Sequence, residues 1–200
     1  MITQLPTLKQ RLQILDTDPT YDDLLTIAIT ALSSRFDHET NRTLARTENA
    51  TDEFDATDTE FAVSCYPIET VTKFELKTTE SDGWQEITPA PAYLIRKACV
   101  ISLNLQLSTF NLQPSLLRIT YTGGYVLPGT DPSPPAPPAS PLPPDLEQAA
   151  GDQVVAWFQN RDRLGLTRLW PYHGAYQQVA QLPLLLEVAA VLKLHTRCRF

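Results

Sequence analysis

The feature that most limits this chain is a run of proline late in the sequence. Between Pro128 and Pro144, nine of seventeen residues are proline. Proline has no N–H to give to a helix or a sheet ladder, and its φ is fixed, so neither element passes through such a stretch. What lies before and after it must be built as separate pieces. The run favours extended polyproline II backbone and spans up to about 50 Å at roughly 3.1 Å per residue. Its flanks differ in kind. "RITYTGGYVLPG" (Arg118–Gly129) reads as a strand that stops at Gly123-Gly124. Pro144 instead stands at the first position of a helix, where its missing N–H costs nothing, with Asp145 and Glu147 in the first turn.

Hydrophobic spacing fills in the rest. A short amphipathic helix is expected over Leu5–Leu15. A second starts with Thr20 as N-cap and with Asp22 and Asp23 in its first turn. Leu24, Leu25, Ala28, Ala31, Leu32 and Phe36 form its apolar stripe, and Ile27 and Ile29 lie off it. Run to Arg46, this helix would be roughly 39 Å long. Residues 47–125 are strand-like: "FAVSCY", "TVTKFELK", "WQEI", "AYLI", "CVISLNLQL" and "LLRITYTGG" alternate with period two, and "TTESDGW" carries an Asp-Gly hairpin turn. After the proline run, Leu146, Ala149, Ala150, Val154, Trp157, Phe158 and Leu164 mark the buried face of a helix that ends at Gly165. An irregular "TRLWPYHGAYQQ" leads to a last helix from about Leu182. The fold expected is α+β: a helical bundle with an inserted small antiparallel β-sandwich or barrel-like module. Its parts are N-terminal helices (1–46), the β module (47–127), the proline-rich linker (128–144), and C-terminal helices with a tail arm (145–200). The linker is expected to carry the chain back from the far side of the β module to the helical body.

Chemistry is sparse. His38, His173 and His195 are scattered, with no metal-binding spacing. The Gly-Gly pair lacks the lysine and spacing of a phosphate loop, and Ser64-Cys65 follows no nucleophile pattern. Cys65, Cys99 and Cys198 are odd in number and far apart, which suits a reducing compartment. No catalytic residue, metal or cofactor is expected. The N-terminus shows no apolar signal region, and "LPLLLEVAAVLKL" is too short to span a bilayer and contains Glu187, so no membrane contact is expected. The net charge of −7 argues against a dedicated DNA-binding surface. Acidic residues concentrate in "ENATDEFDATDTE", either a solvated strand and loop or a surface that must not hold DNA. Of the tryptophans, Trp84 sits beside a turn and Trp157 on a core stripe, leaving Trp170 free for stacking.

The order and wording of several phrases carry a resemblance. "YDDLLTIAITALSSRFDHETNRTLAR", "YPIETVTKFEL", "LLRITYTGGYVLP" and "LPPDLEQAAGDQVVAWFQNRDRLG" resemble the head–tail connector (adaptor or head-completion) proteins of tailed bacteriophages, over roughly residues 15–170. The most specific pieces are Tyr121–Tyr125, the helix after Pro144, and Phe36 with Asn41–Thr43. The resemblance implies a structural virion protein at the head–tail junction, assembled in the host cytoplasm. It implies a ring of twelve copies between the capsid portal protein and a tail or neck (stopper or terminator) protein, through which DNA passes without specific binding.

Two surfaces are singled out. The C-terminal segment has Leu184, Leu185, Leu186, Val188, Val191, Leu192 and Leu194 around nearly its whole circumference, more than one body buries, and it ends in Lys193, Arg197 and Arg199. Leu185, Val188, Leu192, Lys193, His195, Arg197, Arg199 and Phe200 are therefore expected to meet the portal or a neighbouring subunit, the alternative being a helix that completes the core of its own bundle. Asp52, Glu53, Asp55 and Asp58 are expected to face the channel. A small hydrolase with a cryptic site and a lone binding module are the alternatives, and oligomeric state separates them from a ring.

Overall fold

The computed structural model describes residues 1–103, 115–130, 139–161 and 184–197. Among these the chain forms four helices and two antiparallel sheets, an α+β architecture. The helices are α1 (Leu5–Leu12), α2 (Asp22–Thr40), α3 (Pro144–Gln159) and α4 (Leu186–Leu194). The strands are β1 (Thr47–Asp55), β2 (Glu60–Ala62), β3 (Ile68–Lys77), β4 (Gln85–Glu86), β5 (Tyr93–Arg96), β6 (Val100–Leu103) and β7 (Leu116–Gly123). The chain divides into a helical unit, Met1–Glu39 with Leu142–His195, and a β unit, Thr40–Pro141 with Thr196–Phe200.

In the helical unit the buried face of α2 is Leu25, Ile29, Leu32 and Phe36, spaced i, i+4, i+7, i+11. Ile29 is thus core, whereas Leu24 and Ile27 are 48% and 68% exposed. α2 has 19 residues and is roughly 28 Å long. It ends at Thr40, short of Arg46, because Asn41 turns into the left-handed region at φ 52. Thr20 does not cap it. The Asp18 carboxylate accepts both the Thr20 N–H (3.0 Å) and its hydroxyl (2.5 Å), making a turn ahead of the helix. α1 likewise stops early, at Gln13 with φ 58. Lys9 of α1 is 3% exposed, yet every one of its protons has a partner. Its ammonium pairs with Asp22 (2.5 Å) and donates to the carbonyls of Asp16 (3.1 Å) and Asp18 (2.8 Å). One buried cation therefore fixes the loop between α1 and α2. α3 packs against α1 and α4. Its Leu146, Ala149, Ala150 and Val154 are buried, while Trp157 and Phe158 are half-buried, with Phe158 edge-on to Tyr21. Leu164, Gly165, Trp170, His173 and Leu182 lie outside the described residues.

The β unit has a four-stranded sheet in the order β1-β7-β3-β4 and a three-stranded sheet in the order β2-β6-β5. Among the described residues neither closes into a barrel. Buried residues of both sheets form one cluster, with Phe61 and Ile101 from the small sheet against Phe74, Leu117, Ile119 and Tyr121 from the large one. The acidic stretch supplies β1: Ala50, Asp52 and Phe54 are half-buried, and Thr51, Glu53 and Asp55 are exposed. The Gly123-Gly124 pair exists because other backbone crosses there. A Cβ on Gly123 would meet the Cys65 carbonyl at 2.5 Å. One on Gly124, which has φ +100, would meet the Ala45 carbonyl at 2.6 Å. The chain crosses in order to pair: the Tyr125 N–H donates to the Leu44 carbonyl, and the Arg46 N–H to the Tyr125 carbonyl, both at 2.8 Å.

The chain just before the proline run meets the later part of it. The Val126 N–H donates to the Ser140 carbonyl at 2.9 Å, and Val126 bridges Pro141. The run therefore leaves and returns at one point of the β unit. It does not carry the chain across from a far side.

Candidate partner-binding surfaces

The acidic residues of β1 and the following turn are not equivalent. Asp52 points inward. Its carboxylate accepts the Ser64 N–H (2.6 Å), the Ser64 hydroxyl (2.8 Å) and the Tyr121 hydroxyl (2.7 Å). Tyr121 is fully buried and its oxygen in turn accepts the Cys65 N–H at 2.9 Å. This network ties β1, the chain after β2, and β7 together, so Asp52 holds the β unit and is spent on internal bonds. Burial pushes the Tyr121 hydroxyl's pKa well above the ordinary tyrosine value, and the neighbouring Asp52 adds to the effect. Glu53, Asp55 and Asp58 do reach solvent. Glu53 pairs with Arg118 at 3.0 Å, and Asp55 accepts the N–H and hydroxyl of Thr57 at 2.9 and 2.8 Å. These bonds to Thr57 hold the Asp55 carboxyl below the usual range.

The C-terminal segment is similarly divided. Val188 and Leu192 are buried in the helical unit, where α4 packs on α3. The Leu185 N–H donates to the buried Gln153 side chain at 2.8 Å, while the Leu185 side chain is 40% exposed. His195 Nε2 lies 2.8 Å from the Asp145 carboxylate, joining the end of α4 to the start of α3. Burial raises the Asp145 pKa, but the His195 contact and the Leu146 N–H outweigh it and hold the carboxyl below its ordinary value. Lys193 is exposed. In the β unit, the Arg197 N–H donates to the Thr40 carbonyl at 2.8 Å and its guanidinium to the Ala62 carbonyl at 2.5 Å. The Tyr66 hydroxyl donates to the Thr196 carbonyl at 3.1 Å. Arg199 and Phe200 lie outside the described residues. What the segment offers to solvent is thus Leu185, Leu186, Glu187, Ala190, Lys193 and Leu194, with Leu186 89% and Leu194 81% exposed.

The "NRT" phrase has a local explanation. Asn41 makes the left-handed exit from α2. Arg42, 4% exposed, stacks on the Tyr66 ring (3.3 Å to its centroid), lies 5.1 Å from the Tyr125 ring, and donates to the Tyr66 carbonyl. Thr43 bridges Cys65. The Cys65 thiol faces the Gly123 carbonyl at 3.1 Å, and burial pushes its pKa up, which lowers its nucleophilicity at neutral pH. Among the described residues no group of three or more His, Cys, Asp or Glu is placed to hold a metal ion, and no helix is long and apolar enough to cross a membrane.

A second exposed surface carries no motif and is visible only once the strands are paired. All four residues of β5 are exposed, with Leu94 at 66%, although three of them are apolar.

No family model matches the chain, and no curated protein matches it. Solved structures do. Over nearly its whole length the chain has the fold of proteins from the neck of phage-like particles, in agreement with the resemblance carried by its sequence. One such structure is the neck of an empty gene transfer agent particle, computed with C6 symmetry: TM-score 0.56, 14% identity, 98% of this chain and 89% of the neighbour. Another is the virion of a native gene transfer agent particle: TM-score 0.55, 16% identity, 98% and 89%. A third is the neck of the native particle, computed with C12 symmetry: TM-score 0.51, 16% identity, 88% and 84%.

Proposed function

We propose that this chain is a structural virion protein of the neck, a head–tail connector that forms a ring between the portal and the tail or next neck protein. The observation that carries the reading is the likeness of fold to neck chains over 98% of the sequence. The resemblance of "YTGGY", "NRT" and the helix after Pro144 supports it independently. A neck computed with C12 symmetry among the neighbours fits the expectation of twelve copies. On this reading the chain is a helical bundle carrying an inserted β-sandwich, with the proline-rich run as an excursion from that insert. It has no catalytic turnover, cofactor or membrane partner, and it works in the virion after assembly in the host cytoplasm.

DNA passes through the ring without being held. The net charge of −7 suits that, since each Lys or Arg on a channel wall adds nonspecific affinity. Glu53, Asp55 and Asp58 are the acids of this stretch that reach the channel or the neighbouring subunit, Asp52 being turned inward. The portal or a neighbouring subunit takes the exposed side of the C-terminal segment, Leu185, Leu186, Lys193 and Leu194, continuing towards Arg199 and Phe200. Cryo-EM of virions, with co-purification on the portal, tests the reading. The expected result is one ring of this chain beneath the portal. Virions whose neck lacks the chain, or a stable monomer that turns over a substrate, would overturn it. Leu186→Glu with Leu194→Glu should weaken portal binding at least tenfold and leave the fold intact, because both side chains lie in solvent.

A further inference from the structure

We propose that adjacent copies join by edge-strand pairing, β5 of one subunit adding to β1 of the next. The inference rests on the ring reading and names the contact that would build it.

Unpaired strand edges are templates for another strand, and natural proteins normally shorten, charge or cover them. Four edges end the two sheets: β1, β4, β2 and β5. β4 has only two residues. β2 has three, and its Ala62 carbonyl is already taken by Arg197. The edges that remain open among the described residues are β1, nine residues long, and β5. β5 is unusual for an open edge. Tyr93, Leu94 and Ile95 are 37%, 66% and 39% exposed, so the strand is uncovered on its side chains as well as on its backbone.

Charge selects the occupant. From Ala92 to Cys99 the sequence contains Arg96 and Lys97 and no acid. β1 contains Glu48, Asp52, Glu53 and Asp55 and no base. Like edges repel and unlike edges attract, so β5 rejects a second β5 and β1 rejects a second β1. The pairing is therefore head-to-tail, the type of contact that closes rings. The internal partners Glu60 for Arg96 and Arg118 for Glu53 are surface ion pairs, which rearrange at small cost.

The tip of β5 is also held ready. Lys97 and Ala98 both occupy the left-handed region, at φ 49 and 55. Neither is glycine or asparagine, the residues that adopt it cheaply. The turn is kept in place by hydrogen bonds: Cys99 N–H to the Arg96 carbonyl (3.1 Å), Ile68 N–H to the Ala98 carbonyl (2.8 Å) and Val63 N–H to the Cys99 carbonyl (3.1 Å). The backbone that projects Lys97 is thus fixed before any partner arrives.

A charge-swap experiment tests the pairing. One full-length variant carries Arg96→Glu with Lys97→Glu, and another carries Glu53→Lys with Asp55→Lys. Assembly is followed by sedimentation velocity and negative-stain imaging, with and without purified portal, after circular dichroism shows each variant folded. Each variant alone is expected to lose the ring, because the first makes both edges acidic and the second cancels the net negative charge of β1 and sets two cations against the basic β5. An equimolar mixture is expected to regain it by alternation, the acidic β5 of the first variant meeting the introduced lysines of the second, and the unaltered β5 of the second meeting the unaltered β1 of the first. Hydrogen exchange on the parent ring needs no variant and should show the amides of 51–55 and 93–96 protected on assembly. If both variants form rings as the parent does, if the mixture fails to rescue, or if those amides exchange equally in ring and monomer, the pairing is wrong and the ring reading survives. A parent that never assembles, even on portal, overturns both.

Discussion

At the residue scale, Tyr121 does the most for its size. It is fully buried, donates to Asp52 and accepts from the Cys65 N–H. Tyr121→Phe strips two partners of their bond and should cost about 1–3 kcal/mol at neutral pH, read by denaturant unfolding. The same group shapes the alkaline limb. Its folded pKa is raised, so the folded state keeps a proton that the unfolded chain releases above about pH 10. Its stabilisation is complete below that point and is lost as pH rises, and Tyr121→Phe should flatten this part of the curve. A second test concerns Lys9. Removing its buried ammonium leaves Asp22 and two loop carbonyls without a partner, so Lys9→Ala should cost about 2–3 kcal/mol, and an unchanged melt would show that the loop holds itself. The sequence displays these residues unequally. "YTGGY" stands out as a phrase, but its cause, the Cys65 and Ala45 backbone pressed against the glycines, is a contact between distant segments. Lys9 looks like any exposed helix lysine, because nothing local shows that three acceptors converge on it.

Among the elements, α2 tests the difference between a period and a face. Leu24 and Leu25 both fit an apolar stripe, yet only Leu25 is buried, and Ile29 replaces Leu24 in the core. Ile29→Ala should therefore cost about 2–4 kcal/mol, and Ile27→Ala under about 0.5, in parallel thermal melts. Equal losses would mean that another surface covers Ile27. Trp157→Ala should fall below the usual range for a core aromatic, at about 2–3 kcal/mol, since the indole is only half-buried. The helices and most strands were legible because one face of each is buried and the periodicity records it. Their ends were not: α2 stops where Asn41 turns left-handed, a choice its composition permits without requiring. β1 was harder still. An acidic edge strand has little apolar alternation, and only Ala50 and Phe54 betray it.

For the whole molecule, the acid limit should be set by a few carboxylates. Asp145, Asp18 and Asp55 all sit below their ordinary pKa in the folded chain. Depressed carboxylates contribute stability above the unfolded value, about pH 4, and lose it as pH falls through the folded one. Melting temperature should hold from pH 7 to about pH 5 and then drop. Asp145→Asn should soften the drop, because it also removes the contact between the end of α4 and the start of α3. A variant that loses stability as steeply as the parent would assign the transition to other acids. The α+β class and the interruption of helices by strands were readable from element order alone. The partner surfaces were readable only in part, because Val188, Leu192 and Asp52 turn inward in contacts that no local pattern records.

The joined feet of the proline run have a genetic consequence. With Val126 hydrogen-bonded to Ser140, the gap this stretch must bridge is one hydrogen bond wide, whatever the number of codons between. Doubling a flexible loop costs only about 0.6 kcal/mol. Flexible residues added here should therefore be nearly neutral for folding. This stretch is the position of choice for an affinity tag: a flexible epitope inserted after Pro134 should shift the melting temperature by no more than a few degrees. A large drop would mean that the prolines themselves brace the β unit.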